Sequence, residues 1–234
     1  MVKTLLGPEK VKPSFISRAN AVGIANGLAW TSVGGEMLPV EVAVIPQGSG
    51  KIELTGSLGD VMKESAHLAV TYARVHAQEY GINAEAFKTS DLHIHAPEGA
   101  VPKDGPSAGV TLTTALISAL SGLPVRHDLA MTGEITLHGN VLPIGGLKEK
   151  SMAAYREGIS TVLIPKDNES DLYEVDEEVK KTIRFQPVSD LAQVLKAALI
   201  RPAHKAPRPV VTVPPATQLI AADAGAAKEP ATVM

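Results

Sequence analysis

The stretch Pro102-Lys103-Asp104-Gly105-Pro106-Ser107-Ala108-Gly109 decides how the rest of the chain is read. It sets a Gly-rich turn directly ahead of a run, Ser107 to Leu120, dense in Ala, Leu and Thr. Pro106 suits the first position of a helix, where a missing N–H is no loss. The stretch therefore predicts a turn that opens a helix, with Ser107 at its start. Unpaired amide groups collect at such a start and favour negative charge. A serine there is either a plain helix N-terminal residue or a nucleophile whose oxyanion those amides hold. We do not read it as the serine of a strand–turn–helix nucleophile elbow.

Outward from this turn, strand and helix signals alternate. Upstream, Asp91 to His95 alternates, with Leu92, Ile94 and Ala96 on one face and Asp91, His93 and His95 on the other. Gly59-Asp60 opens a helical run from Val61 to Tyr80, closed by Gly81. Lys51 to Thr55 is a short strand. Two β-rich runs around Gly34-Gly35 read as a hairpin. Downstream, Met131 to Ile144 reads as a hairpin around Gly139-Asn140, and Gly145-Gly146 starts a helix from Leu147 to Arg156, ended by Gly158. Thr161 to Ile164 and Thr182 to Val188 are strand-like, and Ser189-Asp190 caps a last helix ending near Leu199. The acidic run Glu169 to Glu178 reads as a solvated, helix-like surface. Hairpins interleaved with helices make an α+β pattern.

Composition narrows the chemistry. The 234 residues are 44% apolar and 20% charged, close to an ordinary globular domain. Aromatics are 3%, too few for a base-stacking platform, and the net charge of −3 gives no basic field for nucleic acid or an anionic membrane. The absence of cysteine excludes disulfides, thiolate metal sites and a Cys nucleophile. No apolar run reaches the roughly 18–20 residues that span a bilayer. The first eight residues lack a signal peptide's apolar stretch, so a cytoplasmic location is expected. From Arg201 to Met234 the chain holds six of the 17 prolines and no aromatic, and reads as a flexible tail.

A nucleophilic Ser107 needs a base. The chain has seven histidines, and Lys148 and Lys150 follow Gly145-Gly146-Leu147. For a lysine to be substantially neutral near pH 7–8, its ordinary pKa of about 10.4 must fall by roughly 2–3. Lys150 shares a helix side with Leu147 and Ala154, and Lys148 lies beside Met152 and Tyr155. Spacing does not choose between them, and solvent-facing lysines are the simpler reading. His93 and His95 share a strand face but lack a clear third ligand, so no metal site is expected. Gly48-Ser49-Gly50-Lys51 falls short of a phosphate loop: Ile45 stands where G-x-x-x-x-G-K-[ST] needs Gly, and Ile52 where it needs Ser or Thr. It reads as a turn between strands.

The run Asp104 to Gly109, followed by Gly145-Gly146-Leu147-Lys148-Glu149-Lys150, closely resembles the Lon protease family. So do Gly27-Leu28-Ala29-Trp30-Thr31, Thr55-Gly56-Ser57-Leu58-Gly59 and Met131-Thr132-Gly133-Glu134-Ile135-Thr136. The likeness covers about residues 20–200. It implies the α+β Lon proteolytic domain, of the ribosomal protein S5 domain 2 type. It implies a Ser–Lys dyad, with Ser107 as nucleophile and Lys150 as its partner. Thr132, Asp104, His95 and Glu41 fall on family positions near the site and take supporting roles. Gly105, Pro106 and Ala108 are expected beside the oxyanion and the substrate backbone. Residues 1–19 resemble the end of an ATPase small domain, and 201–234 form the tail. The AAA+ module, with its ATP and Mg²⁺, is not in this sequence. The resemblance further implies unfolded polypeptides as substrates and a hexameric ring. Two other readings stand beside it: a small-molecule kinase, with the turn before Ser107 cradling phosphates, and a binding module whose site has decayed.

Overall fold

In the computed structural model, residues 18–97 and 102–201 are described; the readings placed on the first 17 residues and on 202–234 lie outside them. The antiparallel pairing of β1 (Ile24–Thr31) and β2 (Gly34–Pro46) runs from Ile24 opposite Glu41 to Thr31 opposite Gly34, so Ser32-Val33 is the turn. β2 pairs next with β4 (Ser90–His95), and β4 pairs in parallel with β3 (Ile52–Thr55). On the other side β1 runs parallel to β5 (Leu129–Met131), then β8 (Thr161–Pro165) and β9 (Arg184–Val188). The seven-stranded sheet has the order β3-β4-β2-β1-β5-β8-β9. A separate ribbon joins β6 (Glu134–Ile135) to β7 (Val141–Leu142). This is the expected α+β class, with hairpins in one half of the sheet and parallel crossovers in the other.

The helices are α1 (Asp60–Val75), the single turn α2 (Ala86–Thr89), α3 (Gly109–Ser121), α4 (Leu147–Arg156), α5 (Glu177–Thr182) and α6 (Leu191–Ala198). The larger core gathers α1, α3 and α6 against the hairpin half of the sheet through residues such as Met62, Leu116 and Leu195. A smaller core packs Leu147 and Ala154 of α4 against Val162, Ile164, Val175 and Val179. Leu92 and Ile94 on β4, and Ala96 just beyond it, are buried as the alternation predicts.

Three boundaries differ from the sequence reading. α1 stops at Val75, not Tyr80. From His76 the chain tightens into three-residue turns, with Glu79, Tyr80 and Gly81 amides donating to His76, Ala77 and Gln78 carbonyls. Ala77, Tyr80 and Ile82 thereby cover the end of the larger core. Met131 belongs to the main sheet, between Gly27 and Leu163, so the second hairpin is only Glu134 to Leu142. Thr182 ends α5, and the last strand starts at Arg184. In the acidic run, Val175 and Val179 anchor an otherwise solvated segment, and Asp176 caps α5 by accepting from the Glu178 amide. Gly48 to Lys51 is the turn between β2 and β3. Its Ser49 and Lys51 amides donate to Asp91 Oδ1 at 2.7 and 2.9 Å, which holds the Asp91 carboxyl below its ordinary pKa.

Candidate active site

Ser107 sits in a 3₁₀ turn, Pro106–Ala108, that feeds directly into α3. Gly105 to Gly109 spells G-x-S-x-G, but among the described residues it follows an isolated bridge at Lys103 and not a strand. α3 is buried on nearly all sides, and its hydroxyls are engaged internally: Thr113 and Thr114 donate to the Gly109 and Val110 carbonyls at 2.8 Å. The serine thus stands at the end of a helix anchored in the larger core.

Lys150 reaches the same place from α4. Leu147, Lys150, Ser151 and Ala154 are buried, spacing that gathers them on one helix face. Lys148 points to solvent. Lys150 is only 1% exposed, and burial pushes its ammonium down to about 8. The expectation that both lysines face solvent fails for Lys150, because the Leu147 and Ala154 face docks onto the smaller core.

A cleft of roughly 470 Å³ is lined by both Ser107 and Lys150. Trp30, Met37, Leu38, Met62 and Ile144 give it apolar walls, and Glu36, Lys103 and Asp104 give it charge. Thr132 links the two helix starts from below. It is fully buried, and its Oγ1 accepts from Lys150 Nζ at 3.1 Å and donates to the Ser107 carbonyl at 3.4 Å. The Gly133 amide donates to that same carbonyl at 2.9 Å.

The other expected residues divide. Asp104 lines the cleft, yet its contacts are to backbone: Oδ1 accepts from the Met62 amide at 3.0 Å and from Gly105 at 2.9 Å. The first of these caps α1, whose own N-cap, Gly59, has no side chain to offer. A Cβ on Gly59 would fall 2.3 Å from the Asp104 carboxyl carbon, so the cap requires glycine there. The Gly105 amide is thus engaged by Asp104, and Pro106 has no N–H to give. Ala108 closes the 3₁₀ turn Pro106–Ala108 and lines the cleft. His95 and Glu41 do not line the cleft. They lie opposite each other on β4 and β2. His95 Nδ1 and His93 Nε2 meet Thr55 Oγ1 at 2.7 and 2.9 Å. Among the described residues, no three His, Cys, Asp or Glu side chains gather as a metal-binding group.

The sequence reading gave no site role to Trp30, Met37 or Met62. They arrive from the β1–β2 hairpin and α1, and no local spacing announces their convergence. Trp30 carried one signal: it is the sole tryptophan, and more than half exposed.

A serine at a helix start and a buried lysine in one cleft define a candidate hydrolase domain. The chain belongs to the family described as the Lon protease (S16) C-terminal proteolytic domain, which it matches over residues 1–201. It is 55% identical over 196 residues to the Lon protease of Chloroflexus aggregans, covering 84% of this chain and 24% of that protein. It is 52% identical over 200 residues to the Lon protease of Brevibacillus choshinensis, covering 86% and 26%. It is 54% identical over 195 residues to Lon protease 1 of Thermus thermophilus, covering 83% and 24%. The chain spans about a quarter of the length of these curated relatives. Among the described residues, no helix is long and apolar enough to cross a membrane.

Proposed function

We propose that this chain is the peptidase part of an ATP-dependent endopeptidase, with Ser107 as nucleophile and Lys150 as its base. One observation carries the reading: Lys150 is buried at the cleft shared with Ser107, and burial lowers its pKa to about 8. At pH 7 about a tenth of such a lysine is neutral, against well under a thousandth at its ordinary pKa. Neutral Lys150 takes the Ser107 proton as the hydroxyl attacks a peptide carbonyl. Thr132 accepts one Nζ–H and so turns the lone pair toward the serine. Backbone amides at the helix start are the donors for the tetrahedral oxyanion. The ammonium returns its proton to the leaving amine, the acyl-enzyme forms on Ser107, and water releases it by the same relay.

The substrate is extended, unfolded polypeptide, since a backbone must be exposed to lie along the cleft. Residues 20–200 form the protease unit, joined through 1–19 to an AAA+ module that holds the ATP and Mg²⁺. The unit works in a cytoplasmic homohexamer, without membrane or nucleic acid as partner and with no cofactor of its own.

The test is cleavage of casein by this chain without ATP, beside Ser107→Ala. The expected result is cleavage that the substitution removes by more than a thousandfold, the scale on which nucleophile loss acts in serine proteases. Equal cleavage by both would sink the dyad. If neither cleaves, a peptidyl boronate that labels Ser107 supports the reading, and no labelling rejects it.

A further inference from the structure

α4 is gripped by the turn end of the β1–β2 hairpin. Gly35 and Trp30 are cross-strand partners there. Gly35 lies flat on the helix backbone: a Cβ on it would fall 1.8 Å from the Glu149 carbonyl oxygen and 2.9 Å from the Lys150 nitrogen. The Trp30 ring covers Gly146, the N-cap of α4, where a Cβ would come within 2.6 Å of the indole. Arg156, the last residue of the helix, reaches back, and its Nη2 donates to the Gly35 carbonyl at 2.6 Å. The hairpin therefore touches α4 at its cap, at the Lys150 turn and, through Arg156, at its end.

We infer that Arg156 is a positioning residue for the active site: by holding the Gly35 carbonyl it presses the hairpin onto α4 and keeps water from Lys150. The inference rests on Lys150 being the base. Arg156 does not line the cleft, so it acts only through the hairpin. A charged donor on a carbonyl makes a short, strong bond, and a misplacement of about 1 Å at a reacting group costs about a hundredfold in rate. With the bond gone, the hairpin lifts, water reaches Nζ, and the Lys150 pKa climbs from about 8 toward its ordinary value. The charged groups around the cleft are Glu36 on β2 and Lys103 and Asp104 before Ser107. Lys148 and Glu149 adjoin Lys150 on its own helix, and its neutral partner is Thr132. The test leaves all of these in place.

Arg156→Met keeps the aliphatic stem and removes the donors. Lysine ¹³Cε resonances are titrated in the full 234-residue chain, Lys150 being the signal absent from Lys150→Met. In Arg156→Met the Lys150 midpoint is expected to rise by about one pH unit. Peptidase kcat at pH 7.5 is expected to fall about tenfold, with KM within about twofold. Arg156→Lys, which offers a single N–H to Gly35, restores part of both; if the Met variant does not fold, the Lys variant's midpoint decides alone. An unchanged midpoint in the folded variant overturns the inference, even where activity drops, because Arg156 then acts elsewhere. Full activity in Lys150→Met would bring down the dyad instead, and the titration tells the two failures apart.

Discussion

The two helices that meet at the cleft are held in opposite ways. α3 is apolar on almost every side and sits inside the larger core, so Ser107 is fixed by the same contacts that fix the fold. α4 is charged, buries one face against the smaller core, and is clasped by a hairpin end. The proposed nucleophile is thus tied to global stability, and the proposed base to local packing. Substitutions inside α3 are therefore expected to cost mainly stability, whereas substitutions on the exposed face of α4 or at Lys150 are expected to leave the domain folded.

The strongest way to break this contrast is inside α3. Leu116 is fully buried, and Leu116→Ala is expected to destabilise the chain by about 3 kcal/mol. A urea melt that moves by under about 1 kcal/mol would show that α3 is not part of the cooperative core. On α4 the sign reverses. The folded pKa of Lys150 lies below its unfolded value, so below pH 8 the unfolded state binds the extra proton and burial of Lys150 costs the fold about 3 kcal/mol. Lys150→Met is then expected to melt higher than wild type at pH 7 while losing peptidase activity. The wild type regains stability as pH rises from 8 to about 10.4, closing the gap. A gap that stays constant over that window would count against a perturbed Lys150. Thr132→Val should lower kcat by roughly tenfold by freeing Nζ, a loss typical of one neutral positioning hydrogen bond; an unchanged kcat would remove Thr132 from the relay. The smallest effect is at Lys148, which faces solvent: Lys148→Ala should change stability by less than about 0.5 kcal/mol and leave activity within twofold. A loss as large as that at Lys150 would undo the assignment between the two lysines.

The site was legible in the sequence where function and local backbone coincide. The Gly-Pro turn before an Ala- and Thr-rich run placed Ser107 at a helix start, and Gly145-Gly146 announced α4. The alternation from Asp91 to Ala96 gave a strand and its buried face. The end of α1 was not legible, because no Gly or Pro interrupts the pattern between Val75 and Gly81, and the core surface around Tyr80 sets the stop. Asp104 illustrates the same limit: its position was marked, but its cap on α1 needs residues 59–62 brought beside 104.

By itself, the sequence determined the α+β class, the positions of most elements and, through long ordered motifs, the family. Periodicity and turn chemistry act within a few residues, and that range suffices for each of these. Only the tertiary structure decided which lysine is buried, what its Nζ meets, and which walls enclose the cleft. Desolvation depends on everything that surrounds a group, and around Lys150 that means the smaller core, Thr132 and a hairpin more than a hundred residues away along the chain.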